Sequence, residues 1–360
     1  MPVNNELKKK EFPMKLKFWK KPTTDFKNNL KSISVKLIMS PSIKDIEKTC
    51  IPFANATWVD EPWDEKKMSE NMSEETKALF LHHIFQRKIL PQTLENISLT
   101  FLIDGISLQE VTHILRTRRA TFSAECSGDK FLTDKEFLVP TAIENSIGSG
   151  WNVDGVAKEN NFYGRYKEIC LAAKKLYQDM VNTKEISIQD ARYIMPRCLE
   201  TFYYMRMDLG EAMRFISDRV DRQIQPQDDN VVAYGMMLEL CRRYPILTKT
   251  IGAQKKNKKA EWYCKTARQF RSTNWFRPNK DNDCFEYNEN DFVYEKQRDD
   301  LLGTNAVFCE DVFTQIFEST KEELESIEKL VDEKYGENFF DKDLTKEEML
   351  SIMTSMQSST

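Results

Sequence analysis

The alternation of apolar and polar positions is clearest at Ile97, Leu99, Phe101 and Ile103, which predicts a half-buried strand. Directly after it, Leu108, Val111, Thr112 and Leu115 recur at helical spacing and predict a short helix with those four residues on its inner face. Upstream, Ile33, Val35 and Leu37 alternate as in a strand, and Ser40-Pro41 suits an N-cap followed by Pro in the first turn of a helix. Residues 60–75 are polar and predict a surface loop before a helix over Glu75–Arg87. Residues 141–163, with Gly148, Gly150 and Gly155 among Asn and Ser, show no period and predict a long loop, a candidate lid. Three further amphipathic helices are marked by Ile169, Ala172, Ala173, Leu176 and Met180, by Leu209, Ala212, Met213, Ile216 and Val220, and by Leu324, Ile327 and Val331.

Composition narrows the class only a little. The 360 residues are 40% hydrophobic, enough for one large domain or two. No stretch of about 18 apolar residues is present, so no membrane span is expected. The lysines near the N-terminus are not followed by an apolar stretch, which argues against a secretory signal and for a cytoplasmic protein. Eight cysteines without a Cys-x-x-Cys pair read as reduced thiols, and with only His82, His83 and His113 present no metal site is expected. Residues 1–31 carry nine lysines against three acidic residues, and Glu318–Glu348 carries twelve acidic residues against five lysines; both read as solvated tails.

Two places carry candidate chemistry. Arg116, Arg118 and Arg119 leave the end of the helix and lead into Glu125-Cys-Ser-Gly128. Guanidinium forks match phosphate oxygens, and glycine lets a backbone N–H approach closely, so this tract suits a polyanionic ligand. On the helix from about Asp208 to Arg222, Arg219 falls about 80° from the centre of the apolar stripe, at the edge of the core. There it is placed either for a surface ion pair or for extension into a cleft. The Lys255–Lys259 run, followed by Trp262, Tyr263, Phe270, Trp275 and Phe276, mixes cations and aromatics as nucleic-acid surfaces do, but a packed extension with a basic surface is the commoner outcome. The basic N-terminus likewise carries no defined nucleic-acid motif.

Glu95 to Pro140, with its strand, helix, arginine cluster, Glu-x-Ser-Gly and Glu-Phe-x-x-Pro, resembles the flavin-dependent thymidylate synthases without a gap. A second block resembles the family's C-terminal signature: Asp190-Ala-Arg-Tyr-Ile-Met-Pro196, then Thr201, Arg219 and Gln225. The resemblance is strongest over 75–247. It implies an α+β protein, a mixed α/β fold with helices packed on a central antiparallel or mixed sheet. It divides the chain into a basic tail (1–30), a catalytic domain (31–250) and a helical C-terminal extension (251–360). It further implies a homotetramer with active sites formed between subunits, FAD as cofactor, NADPH as reductant, and 5,10-methylenetetrahydrofolate as donor of a one-carbon unit to C5 of a pyrimidine deoxynucleotide, by default dUMP. By the same resemblance Arg219 is the catalytic cation, Glu125, Ser127, Gly128, Asp129 and Arg192 hold the nucleotide, and Glu95, Arg116, Arg118, Arg119, Asp208, Gln223 and Gln225 lie on the flavin side.

The departures matter as much. Thr117 stands where the family has its first cluster arginine, Asn96 where a histidine is common, and Asp208 and Gln223 where Asn and His are expected. Asp129 occupies the position of a nucleotide-binding arginine, with Lys130 next to it. At about 4 Å and an effective dielectric near 20, a cation attracts a phosphate charge by roughly 4 kcal/mol and an aspartate repels it by a similar amount. Three readings therefore stand: dUMP methylation, the same chemistry on another nucleotide or to a hydroxymethyl product (dUMP or dCMP), and a family-shaped binding protein without catalysis.

Overall fold

A computed structural model describes residues 25–56, 72–86, 89–144, 150–153, 156–159, 162–220, 227–256, 259–264 and 310–341, with a few single positions between 62 and 67. The strands are β1 (Phe26–Asn28), β2 (Ser34–Met39), β3 (Ser98–Ser107), β4 (Thr121–Ala124), β5 (Phe137–Val139), β6 (Gly150–Val153), β7 (Val156–Glu159), β8 (Glu200–Asp208), β9 (Ile251–Lys256) and β10 (Lys259–Cys264). A four-stranded sheet in the order β2-β3-β8-β4, antiparallel throughout, forms the centre. A short parallel pair, β1 with β5, lies beside it. The architecture is α+β, as the resemblance implied.

The sheet's two faces differ because side chains alternate along each strand. Leu99, Phe101 and Ile103 of β3 and Tyr203, Met205 and Met207 of β8 are buried in the main core. Over that face lie helices Leu209–Arg219 and Gln227–Arg243, the latter so close to β2 that a Cβ on Gly235 would sit 2.8 Å from Val35 Cβ. The register of β3 against β8 shifts between Asp104 and Ile106. Gly105 absorbs that bulge at φ +74°, a conformation L side chains rarely adopt, with Ser32 packed onto its Cα.

Helix placement corrects several expectations. The first long helix, Ile43–Asn55, is capped by Ser42 rather than Ser40, because Asp45 three residues on completes a reciprocal capping box. In helix Leu108–Ile114 the buried residues are Glu110, Val111 and Ile114, while Leu115 is 42% exposed. Likewise Phe162–Asn182 buries Cys170, Lys174 and Tyr177, and leaves Ile169 and Leu176 exposed. Lys174 is drawn inward by Asp25, 2.8 Å away. Within 141–163, expected as one long loop, β6 and β7 pair as a hairpin.

The acidic C-terminal stretch is not simply a solvated tail. Helix Glu310–Tyr335 buries Phe317, Leu324 and Val331 in the main core, and Phe340 after it packs on His82, ring centroids 5.0 Å apart. Lys249 clamps that helix through Asp332 at 2.6 Å and Glu328 at 3.1 Å. Lys255 and Lys256 end β9 and Lys259 opens β10, whereas Asn257, Lys258, Phe270, Trp275 and Phe276 lie outside the described residues. No helix among the described residues is long and apolar enough to cross a membrane.

Candidate functional site

The tertiary fold brings the two sequence blocks together through backbone hydrogen bonds. The N–H groups of Leu108 and Gln109, opening the helix that leads to the arginines, donate to the carbonyls of Leu199 and Arg197. Glu125 N–H donates to Phe202 O at 3.1 Å. These ties set Glu125-Cys-Ser-Gly128 beside Arg192. Arg192 Nη1 donates to Ser127 Oγ at 3.1 Å, and Gly128 lies so near that a Cβ there would meet Nη1 at 3.0 Å. Ser187 caps the turn that presents Arg192, accepting from the Asp190 N–H at 3.1 Å.

Two lysines complete this cradle. The Glu125 carboxylate, only 7% exposed, is held by Lys135 at 2.5 Å, Lys130 at 3.4 Å and the Thr201 hydroxyl at 3.4 Å. Both ammonium groups also lie over the Phe202 ring, 5.4 and 5.7 Å from its centroid. Lys135 was not singled out by sequence, since its pairing with Glu125 depends on the loop between them folding back. Lys130 thus reaches toward Glu125. Asp129 is exposed, so water screens its charge and the repulsion of a nearby anion falls toward about 1 kcal/mol.

The flavin-side residues divide. Arg119 approaches Glu95 at 3.8 Å, both largely exposed, and its charge also acts on Glu211, whose carboxyl is raised mainly by burial. Arg116 and Arg118 are exposed and make no ion pair among the described residues. Thr117 bonds back to Ile114 O at 2.9 Å. Asp208 caps helix Leu209–Arg219, accepting from Glu211 N–H at 2.7 Å, so its carboxylate already has a structural task. Gln223 and Gln225 lie outside the described residues.

Arg219 sits at the core's edge, as its helical phase predicted. Its side chain is 12% exposed, Nε lies 3.4 Å from Asp229 Oδ2, and the guanidinium stacks on Phe215 at 4.1 Å. Asp229 is fully buried and is also reached by His113 Nδ1 at 2.6 Å. Glu110 lies next to them; burial, with the charges of Asp228 and Asp229, pushes its carboxyl up to about 9. Asp228 is pushed up to about 6 by burial, against the pull of the Asn29 amide, which donates to both its oxygens at 3.0 Å. Sequence spacing missed this group: Glu110 and His113 are one helical turn apart, but Asp229 comes from a different helix.

One arginine, Arg192, thus meets a hydroxyl and a close-approach glycine, and two lysines hold the neighbouring Glu125 carboxylate. Such donors match the oxygens of a phosphorylated ligand. A flavin dinucleotide, with its pyrophosphate, fits the exposed Arg116–Arg119 tract by charge.

Residues 39–246 match the profile of the family described as thymidylate synthase complementing protein. The chain is 24% identical over 154 residues to the flavin-dependent thymidylate synthase of Pyrococcus furiosus, covering 42% of this chain and 57% of that one. It is also 24% identical over 225 residues to the enzyme of the same description from Clostridium tetani, covering 62% and 88%. Among solved structures, a UMP/dUMP methylase PolB from Streptomyces cacaoi bound with 5-Br dUMP aligns at a TM-score of 0.43 and 18% identity, over 61% of this chain and 94% of that one.

Proposed function

The chain belongs to the thymidylate synthase complementing protein family, and from that premise we propose that it is a flavin-dependent methyltransferase acting at C5 of a pyrimidine deoxynucleotide, with dUMP as substrate and dTMP as product. The observation that carries the reading is the Arg192–Ser127 contact at 3.1 Å with Gly128 against it, since it joins two separate sequence blocks into one anion cradle. Ser127 and Arg192 hold the nucleotide phosphate, with Gly128 leaving room for the Arg192 guanidinium. Lys130 and Lys135 supply further positive charge while keeping Glu125 in place. Arg116, Arg118 and Arg119 bind the FAD phosphates, with Glu95 orienting Arg119. FAD supplies the redox chemistry, 5,10-methylenetetrahydrofolate the one-carbon unit and NADPH the electrons; the protein's part is binding, orientation and electrostatics.

Arg219 is the cation that stabilises negative charge developing on the pyrimidine. In the described chain it is turned toward Asp229, so catalysis requires the guanidinium to exchange part of that pairing for substrate. The assembly is a homotetramer in which a neighbouring copy completes each site.

A second reading is favoured by Asp129. An acidic residue beside the phosphate cradle suits the same chemistry on a nucleotide other than dUMP, or one giving a hydroxymethyl product. The test uses purified protein with FAD, measuring flavin absorbance and then tritium release from C5-labelled dUMP and dCMP. Release from dUMP supports the main reading and release from dCMP alone the second. A folded protein that binds no flavin at micromolar concentration contradicts both.

A further inference from the structure

Two buried carboxyl groups, Glu110 and Asp229, lie beside one guanidinium, Arg219, near the edge of the main core, with Asp228 next to Asp229 in the chain. Asp228 is satisfied by Asn29. Glu110 and Asp229 share a side-chain hydrogen bond, and beyond it Asp229 Oδ1 and Glu110 Oε1 have no partner although both residues are buried. An independent group points the same way: the Tyr203 hydroxyl, on fully buried Tyr203 of β8, has no partner and feels the charges of Asp229, Arg219 and Glu110. Leaving such buried atoms unpaired is costly, and more so for charged groups. Water or a cation is what a site of this kind takes up.

We infer that Glu110, His113 and Asp229 form a binding site for one divalent first-row metal ion, Zn2+, Fe2+ or Mn2+. One ligand atom from each residue lies within 4.8 Å of the other two. Bonds of about 2.1 Å at tetrahedral angles place ligand atoms about 3.4 Å apart, so His113 and Glu110, 4.0 Å apart, would close slightly and the His113–Asp229 hydrogen bond at 2.6 Å would open to admit the ion. One imidazole nitrogen and two carboxylates make a borderline-hard donor set, which suits these ions and gives no preference for Cu(I), since no thiolate is present. Glu110 and His113, three residues apart on one helix, project together as Glu-x-x-His ligand pairs do. The unpartnered Tyr203 hydroxyl lies in the field of both carboxyl groups, as an outer partner of a ligating carboxylate does. The His113 side chain, 33% exposed, marks the way in.

The experiment titrates Co2+ as a spectroscopic probe into full-length, chelator-stripped protein, and then displaces it with Zn2+. One Co2+ per chain is expected, with the visible d–d bands of a four- or five-coordinate ion and no thiolate charge-transfer band. His113→Gln, at the most exposed ligand, should weaken binding more than about 10-fold, the lower end of what even an outer partner of a metal costs. Glu110→Gln serves as a second variant if His113→Gln does not fold. Absence of d–d bands with excess Co2+ overturns the site, and so does equal affinity in a folded ligand variant. Thiolate charge-transfer absorption would assign the ion to cysteines and overturn it as well.

Discussion

Arg219→Ala is the most informative single change, because Arg219 has both a structural partner and a proposed catalytic task. Removing the guanidinium leaves the buried Asp229 carboxylate with His113 and the Glu110 carboxyl. Breaking a buried pair costs roughly 3–5 kcal/mol. Here the 3.4 Å separation is long and His113 remains at 2.6 Å, which lowers the figure to about 2 kcal/mol; loss of stacking on Phe215 adds about 0.5–1 kcal/mol. For a domain of this size that is a fall in Tm of about 5–10 °C. If Arg219 also stabilises charge in the transition state, turnover falls by about 10²–10³ in protein that is still folded and flavin-bound. The double variant Arg219→Ala/Asp229→Asn separates the two effects: removing the stranded charge should restore part of the Tm and none of the activity. Thermal unfolding and C5 tritium release are measured on all four proteins of the cycle. An unchanged Tm in Arg219→Ala would refute the buried pair, and recovered turnover in the double variant would refute the catalytic role.

Gly105→Ala should destabilise by more than about 3 kcal/mol in denaturant unfolding, since its Cβ would lie 2.0 Å from Ser32 O at φ +74°. Gly336→Ala, at φ +97° in open space, should cost only about 1–2 kcal/mol, and similar losses for the two would show that overlap with Ser32 is not the cause. Burial pulls the Lys249 ammonium down, but hydrogen bonds from it to Asp332 and Glu328 outweigh that and raise its pKa above 10.5. Its contribution is therefore complete below the ordinary lysine value and is lost as pH rises through the folded value, so Lys249→Met should lower stability at neutral pH and flatten its decline at alkaline pH; parallel curves would count against the clamp. Cys198, 3.7 Å from Cys170 Sγ, is pulled down to about 7, chiefly by the hydrogen bond from that thiol. Its alkylation rate by iodoacetamide should rise with a midpoint near that pH, and should move toward the ordinary thiol range in Cys170→Ala; an unmoved midpoint would assign the shift to something else.

What the sequence by itself determined is what depends on near neighbours. Period-two alternation at Leu99, Phe101 and Ile103 fixes which side of β3 is buried, because adjacent side chains must point to opposite faces. The stripe Leu209–Val220 likewise sets Arg219 at the core's edge, and motif order sufficed to expect the α+β family fold. Long-range packing decided the rest. An amphipathic stripe says that a helix has a greasy side, not that this chain covers it: Phe162–Asn182 leaves Ile169 and Leu176 exposed and turns Cys170, Lys174 and Tyr177 inward. Charge density suggested a solvated acidic tail, yet apolar residues one or two turns apart draw Glu310–Tyr335 onto the core. The contacts that make sites are of the same kind. Arg192 meets Ser127 across 65 residues, and His113 meets Asp229 across 116. No local period encodes such distances, since they arise only when the sheet and its covering helices close and buried charges must find partners across the fold.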